Sequence, residues 1–217
     1  MKPSSRPRYW KKINHTMKNY SKDKNARMKR IRHLEQREFC ELDLSDKKIA
    51  DWSFSSCKFI KCNFSGAKLH RCQFDSCEFI GCDASNVTLG RSQFIDVRFN
   101  ECKLLGLDWN EAASPLKLAF HKSRLDYNVF TNRNLVGLEC VECFLRDAFF
   151  QKCDLTRSSF CGSDLCHTQF EECKFHYADM SDTINFGISP ENNDITHAIM
   201  SVDGALALLH KYQLTIR

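Results

Sequence analysis

The sequence predicts a solenoid, because hydrophobic residues recur at every fifth position over most of its length. A first run of fifteen such residues has no exception: Phe39, Leu44, Ile49, Phe54, Phe59, Phe64, Leu69, Phe74, Phe79, Ala84, Leu89, Phe94, Phe99, Leu104 and Trp109. After a slip of one residue a second run follows: Phe120, Leu125, Phe130, Leu135, Cys140, Leu145, Phe150, Leu155, Phe160, Leu165, Phe170, Phe175 and Met180. A period of five fits neither an α-helix nor a β-strand.

The position two residues before each of these hydrophobic residues supports the same prediction. It is mostly small or apolar, with Lys47, Asn128 and Arg133 as exceptions, and the other three places in each unit are mostly polar. Each unit is therefore expected to turn one large and one small side chain inward and three side chains outward.

The thirteen cysteines follow this pattern. Ten of them fall at inward positions, where cysteine acts as a small hydrophobe, and only Cys40, Cys161 and Cys166 are expected to point outward. We therefore expect neither a disulfide framework nor a metal site. The odd number of cysteines and the absence of a signal peptide favour a reducing cytoplasm, and no apolar run is long enough to span a membrane.

Several units, among them "AKLHR", "CDLTR", "SDLCH" and "ADMSD", resemble the consensus of the pentapeptide-repeat family. The resemblance implies an all-β solenoid, a right-handed quadrilateral β-helix with four pentapeptides per coil. Residues twenty apart should then stack, and columns of Phe39, Phe59, Phe79 and Phe99, of Phe54, Phe74 and Phe94, and of Phe130, Phe150 and Phe170 agree. We expect about seven coils over residues 37–183, a rod about 34 Å long at the spacing of paired strands.

The N-terminal segment, residues 1–36, lies outside the repeats and is strongly basic. Residues 1–38 hold thirteen Lys and Arg against three acidic residues, a net charge of +10, whereas residues 39–217 have a net charge of −5. The tail is expected to be disordered or helical, and translation starting at Met17 or Met28 is a further alternative. Direct contact of the tail with nucleic acid is conceivable from its charge but is not favoured.

The phase slip at residues 110–117 interrupts the rhythm between two blocks of repeats. Pro115 lacks a backbone N–H and cannot extend a ladder on that side. Two interpretations stay open. One is a one-residue bulge, and the other is a projecting partner-binding loop formed by Asn110, Glu111, Ser114, Pro115 and Lys117, since loops on rigid scaffolds often carry recognition.

The C-terminal segment, residues 184–217, changes period. Ser201 is expected to cap a helix with an apolar face made by Val202, Ala205, Leu206, Leu209 and Tyr212. One interpretation is that this face only covers the open edge of the last coil. The favoured interpretation is that it covers this edge and also packs on a second copy of the chain to form a two-fold homodimer.

The stretch "FGISPENNDITHAIMSVDGALALLHKYQLTI" closely resembles the C-terminal module of pentapeptide-repeat proteins of the Qnr/McbG type, the quinolone-resistance and microcin-immunity relatives. The matching residues include Ile188, Pro190, Asn193 and Ala198. This resemblance implies a protein that binds bacterial type II DNA topoisomerases, DNA gyrase first and topoisomerase IV as a second candidate, and protects them from fluoroquinolones or related toxins as a partial DNA mimic.

Mimicry of DNA requires carboxylates on the outside of the rod. The candidates are Glu142, Asp147, Glu171, Glu172 and Asp182. Stacking is expected to place Lys152 over Glu172 and Arg146 over Asp126, which neutralises part of this surface. Asp154, Asp164 and Asp179 occupy the consensus Asp/Asn place and are expected to form hydrogen bonds at the corners.

Other functions are weaker candidates. No catalytic grouping or phosphate-binding loop has interpretable spacing, so neither an enzyme nor a cofactor is expected. The serious alternative is an interaction scaffold with an unrelated partner, which would be recognised by the outward apolar residues Ile60, Ile80, Phe144, Phe149 and Tyr177.

Overall fold

The computed structural model describes residues 32–209, and they form a parallel β-solenoid of about eight turns with one short helix at the C-terminal end. The predicted fold class is confirmed. The strands are β1 (Arg32–Glu35), β2 (Glu38–Cys40), β3 (Lys48–Ala50), β4 (Trp52–Ser55), β5 (Lys58–Ile60), β6 (Lys68–His70), β7 (Gln73–Asp75), β8 (Glu78–Ile80), β9 (Gln93–Asn100), β10 (Leu116–His121), β11 (Val129–Thr131), β12 (Glu139–Val141), β13 (Phe149–Gln151), β14 (Gln169–Glu171), β15 (Asp179–Met180) and β16 (Ile199–Met200). A 3-10 turn, η1, spans Trp109–Glu111, and the helix α1 spans Val202–Ala207.

Outside the phase slip, paired residues on neighbouring strands are twenty positions apart in the sequence, so four five-residue units complete one coil. Phe39 pairs with Phe59, Phe59 with Phe79, and Phe54 with Phe74, all in parallel register. We number the four faces by their central inward residues. The first face begins with Phe39, the second with Leu44, the third with Ile49 and the fourth with Leu34.

The core is made by the two inward positions of each unit, as the period predicts. The phenylalanine columns stack with ring centroids 4.6–5.2 Å apart along the first face from Phe39 to Phe120, and Phe130, Phe150 and Phe170 stack in the same way on the third. The ten cysteines predicted to point inward are buried, Cys40 is exposed, and Cys161 and Cys166 are half-buried.

Nine of the ten inward cysteines, all except Cys140, also donate a hydrogen bond to the neighbouring coil, which their role as small hydrophobes does not require. The Sγ atom of Cys82 donates to the carbonyl oxygen of Phe59 at 3.2 Å, and Cys62 and Cys102 repeat the contact one coil away on either side. Ser123 and Ser163 make the equivalent bond from the same position of later coils. A small donor at this position therefore satisfies a carbonyl group inside the rod.

The solenoid extends beyond both boundaries drawn from the sequence, which explains eight turns where seven were expected. At the N-terminal end, β1 pairs with β4 in register, so residues 32–36 belong to the first coil and not to the tail. Residues 1–31 of the predicted tail lie outside the described part of the chain. At the C-terminal end, Lys174 pairs with Asp194 and Asp179 with Ile199, so the predicted cap begins with a further coil.

Candidate functional site

The slip segment is built into the wall of the solenoid as a 3-10 turn followed by a bulge. Strand β10 pairs with β9 at an offset of 22 residues at Leu116, opposite Phe94, and of 21 residues from Leu118, opposite Val97, onward. The insertion therefore precedes Leu116, where the offset already exceeds the usual 20, and between Leu116 and Leu118 the register returns by one residue because β9 advances three residues while β10 advances two. The peptide bond before Pro115 is cis. Of the two interpretations left open by the sequence, this geometry is nearer to the bulge.

Two of the predicted loop residues bond to neighbouring coils. Asn110 Oδ1 accepts a hydrogen bond from the backbone N–H of Thr131 at 2.7 Å, and Glu111 Oε2 accepts one from the N–H of Leu89 at 2.8 Å. These side-chain oxygens serve as acceptors where the turn interrupts the ladder. Asn110 and Glu111 are thus part of the wall, although both are exposed at their outer edge.

Two residues that the sequence analysis did not select hold the slip in place. Arg133 donates from Nη2 to the carbonyl oxygens of Trp109 and Ala112 at 2.7 and 2.9 Å, and from Nη1 to Ser114 Oγ at 2.8 Å. Asn128 Oδ1 accepts from the indole N–H of Trp109 at 2.7 Å. Both are polar exceptions at an inward position of the repeat, and that irregularity is the signal in the sequence that identifies them.

The remaining loop residues face outward. Ser114, Pro115 and Lys117 are exposed, and the Nζ atom of Lys117 lies 3.9 Å from Asp96 Oδ1. Beside Lys117 a cleft of about 200 Å³ separates residues 116–119 from residues 135–139. Val136, on the rim of this cleft, leaves 48% of its surface exposed. The slip therefore presents a short, firmly anchored edge next to a shallow cleft.

Four of the five predicted acidic residues have partners one coil away. Glu142 lies 3.6 Å from Lys122 Nζ, Glu172 lies 3.6 Å from Lys152 Nζ, and Asp147 lies 3.5 Å from His167 Nδ1. Glu171 accepts a hydrogen bond from Gln151 at 2.9 Å, whereas exposed Asp182 has no side-chain partner within the described residues. The expected neutralisation of Glu172 by Lys152 is thus confirmed.

The prediction that the Arg146 side chain neutralises Asp126 is wrong. The Asp126 carboxylate is bound by the Arg124 guanidinium at 2.6 Å, and Arg146 contributes only its backbone N–H, at 3.1 Å. Asp126 is buried, so two donors satisfy it inside the wall.

The corner aspartates behave as expected. The Oδ1 atoms of Asp154, Asp164 and Asp179 accept hydrogen bonds from the backbone N–H groups two residues later, at 2.9–3.1 Å. These carboxylates close the turns and remain part of the wall.

The strongest negative charge lies at the C-terminal end of the rod. Residues 175–209 contain no Lys or Arg and carry five carboxylates: Asp179, Asp182, Glu191, Asp194 and Asp203. Asp194 accepts from Thr196 and from His176 Nε2, the latter at 2.6 Å, and these bonds lower the pKa of its carboxyl to about 2. Asp194 therefore remains ionised well below neutral pH.

The C-terminal helix begins as predicted and is shorter than predicted. Ser201 Oγ accepts from the N–H of Gly204 at 3.1 Å, which is an N-cap, and α1 ends at Ala207. Val202, Ala205 and Leu209 are exposed and Leu206 is half-buried, while Tyr212 lies outside the described residues. Ile199 is also exposed here. The C-terminal end of the described residues therefore carries several exposed apolar side chains.

The outward apolar residues are exposed to different extents. Phe144 and Tyr177 leave 51% and 54% of their surfaces exposed, whereas Ile60, Ile80 and Phe149 are half-buried. Within residues 32–209 no three His, Cys, Asp or Glu side chains are grouped to hold a metal ion. No helix in that part of the chain is long and apolar enough to cross a membrane.

Comparison with known proteins supports the repeat architecture. A family model described as a pentapeptide repeat region matches residues 52–127, and one of pentapeptide repeats in eight copies matches residues 153–184. No curated protein sequence matches the chain.

The solved structures include close matches in fold. Two trypsin-treated forms of QnrB1, a plasmid-mediated fluoroquinolone resistance protein, superpose with TM-scores of 0.67 and 0.66 at 17% and 16% sequence identity. The first match covers 86% of this chain and 98% of the QnrB1 chain. HetL of the cyanobacterium Nostoc sp. strain PCC 7120 matches at 16% identity with a TM-score of 0.38.

Proposed function

This chain is a pentapeptide-repeat protein with the fold of QnrB1, and on that premise we propose that it binds bacterial type II DNA topoisomerases and protects them from fluoroquinolones or related toxins. The preferred target is DNA gyrase, with topoisomerase IV as a second candidate. The observation that carries the proposal is the structural match to a fluoroquinolone resistance protein over 98% of that protein's chain.

The charge distribution limits where such a protein can imitate DNA. Glu142 and Glu172 in the middle coils are each within 3.6 Å of a lysine, so they present little net charge to a partner. In residues 175–209 no lysine or arginine offsets the carboxylates. We propose that this acidic end, and not the whole rod, engages the basic DNA-binding surface of the topoisomerase.

The slip supplies the second proposed contact. Ser114, Pro115 and Lys117 face outward, and Arg133 donates two hydrogen bonds to the backbone of the slip and a third to Ser114 Oγ. Because the segment is already ordered, binding a partner there loses little conformational entropy. The neighbouring cleft beside Val136 can receive one side chain of the partner.

A homodimer is part of the proposal. Ile199, Val202 and Leu209 are exposed at one end of the rod, where a second copy would cover them. Such a dimer would bring two acidic ends together at its centre and lengthen the surface that resembles a duplex.

The test is gyrase supercoiling in the presence of ciprofloxacin, with and without the purified protein. Restored supercoiling over some range of protein concentration is expected. The double variant Asp182→Asn/Asp203→Asn should restore less, whereas Glu41→Gln/Glu101→Gln, which removes two exposed carboxylates from the N-terminal half, should act like the wild type. No restoration with either gyrase or topoisomerase IV would overturn the proposal.

That negative outcome would favour the scaffold. Phe144 and Ile184, both more than half exposed, lie in one column of the second face with Asp164 between them. A protein partner with an apolar surface is the occupant that fits this column.

A further inference from the structure

The third face carries a column of cations in its first coils. Lys48 and Lys68 lie in parallel register on β3 and β6, and Lys68 is paired in turn with Thr88. Paired strands are about 4.8 Å apart, so the two lysines start from neighbouring positions on one surface. Arg91 is exposed in the following coil of the same face, at the corner two residues after the inward Leu89.

These cations are not neutralised by the wall. No carboxylate of residues 32–209 lies within 4.0 Å of the charged group of Lys48, Lys68 or Arg91. Arg71, between them, is different, because its guanidinium is bound by the buried Asp51 at 2.7 Å. Like charges directly opposite each other on neighbouring strands destabilise a sheet, so this column has a cost that folding does not explain.

The cations border a groove and not a flat wall. An open groove of about 810 Å³ lies between β3, β6 and the turn at Trp109–Glu111, with Ala50 and Gly90 as small residues along it. Its lining also includes His70 and one carboxylate, Glu111, whose Oε2 accepts a hydrogen bond from the N–H of Leu89. The face changes sign along the rod, since Glu171, Glu172 and Glu191 occupy the later coils. An elongated anion is thus attracted to the N-terminal half of this face only.

The preceding chain segment does not supply that anion. Residues 1–31 contain eleven Lys and Arg and a single carboxylate, so this segment does not have the charge of a polyanion. The occupant must therefore be a separate polyanion.

We propose that this groove binds the phosphate backbone of duplex DNA without sequence preference. Lysine and arginine bind phosphates by charge and release counterions on doing so. No Phe, Tyr or Trp side chain is exposed among residues 32–112, so the groove lacks the large stacking platform typical of single-strand binding. The inference does not depend on a topoisomerase target.

The test is fluorescence anisotropy with the full chain and a labelled duplex of about 30 base pairs, over salt concentrations of about 50 to 200 mM. The triple variant Lys48→Gln/Lys68→Gln/Arg91→Gln should bind at least about tenfold more weakly at low salt. The slope of log K against log salt should become shallower by about 0.9 for each lost phosphate contact, a total of about 2–3.

The matched control is Lys122→Gln/Lys152→Gln/Arg157→Gln, which removes three exposed cations from the later coils and should leave the slope within about 0.9 of the wild-type value. If the first triple variant does not fold, Lys68→Gln alone should make the slope shallower by about 0.9. An unchanged slope in the groove variant, no binding of the wild type to duplex at low salt, or tighter binding to a single strand of equal length would each overturn the proposal.

Discussion

Arg133 donates a hydrogen bond from Nη2 to the carbonyl oxygen of Trp109, 24 residues earlier, at 2.7 Å. In most other units the position of Arg133 holds a small residue that faces the core. Here a long side chain reaches across the slip and binds carbonyl groups that the interrupted ladder leaves without strand partners. The guanidinium group of Arg133 thus connects the two blocks of repeats by hydrogen bonds to the backbone.

Replacing Arg133 by methionine should lower the free energy of unfolding by about 2–3 kcal/mol, because hydrogen bonds from a charged group are lost. The Ala112 carbonyl then loses its donor, and the Trp109 carbonyl keeps only the bond from the N–H of Ala112. Urea denaturation measures the change. Arg157→Met is the control, since Arg157 is exposed and in no ion pair within the described residues, and it should change stability by less than about 0.5 kcal/mol. Equal effects of the two substitutions would contradict the anchoring role.

Gly90 should not tolerate alanine, because a Cβ atom there would collide with the backbone carbonyl oxygen of Leu69. We expect Gly90→Ala to cost about 3 kcal/mol from overpacking and from its positive φ. Gly137→Ala, which meets open space at a corner position, should cost only about 1 kcal/mol. Thermal unfolding of both variants measures the difference. An equal loss of stability in the two variants would show that the close approach of the coils at Gly90 does not cause the effect of Gly90→Ala.

Native-state alkylation should distinguish two classes of cysteine. Burial raises the pKa of the Cys140 thiol well above its usual value and that of Cys143 to about 12, so neither forms thiolate at neutral pH. Mass spectrometry after a short iodoacetamide treatment should find modification only at Cys40, Cys161 and Cys166. Comparable labelling of the ten buried cysteines before unfolding would mean that the interior is open.

Acid should weaken the last coil through Asp194. The pKa of Asp194 in the folded state, about 2, lies below the usual value of 3.8. The ionised carboxylate therefore contributes fully to the stability of the fold above about pH 4, and this contribution is lost as the pH falls through 2. The difference in Tm between the wild type and Asp194→Asn should therefore shrink between pH 5 and pH 2. Asp182→Asn serves as control because Asp182 has no partner in the described residues. A difference for Asp194→Asn that stays constant with pH would exclude this linkage.

The dimer can be tested at the exposed end of the rod. Leu209→Asp or Leu206→Asp should give a monomer by light scattering, since a buried charge without a partner opposes association. Phe144→Asp, at an exposed position away from that end, should leave the dimer intact. A dimer that persists in both leucine variants would show that the interface does not include this helix.

The five-residue period predicts the interior almost completely, because every inward position repeats the same geometry. It places the phenylalanine columns and separates the buried cysteines from Cys40, Cys161 and Cys166. It is less informative at the C-terminal end, where Asn185 and Pro190 occupy central positions and interrupt the hydrophobic series. The structure continues the coil there by burying Ile188 at the neighbouring inward position.

The surface could be predicted only in part, since its contacts depend on which side chain of the next coil is nearest. The stacking of Lys152 over Glu172 follows from the twenty-residue spacing alone. The choice of Arg124 over Arg146 as the partner of Asp126 does not, because Arg124 precedes Asp126 by two residues in the same coil. The roles of Arg133 and Asn128 likewise required the path of the chain through the slip.

The most direct measurement is the amount of ciprofloxacin-trapped, cleaved DNA that gyrase forms with and without the protein. If the rod displaces the drug-trapped complex, linear DNA should decrease as the protein is added, and the decrease should be smaller for Asp182→Asn/Asp203→Asn. An unchanged amount of linear DNA at all protein concentrations would contradict topoisomerase protection.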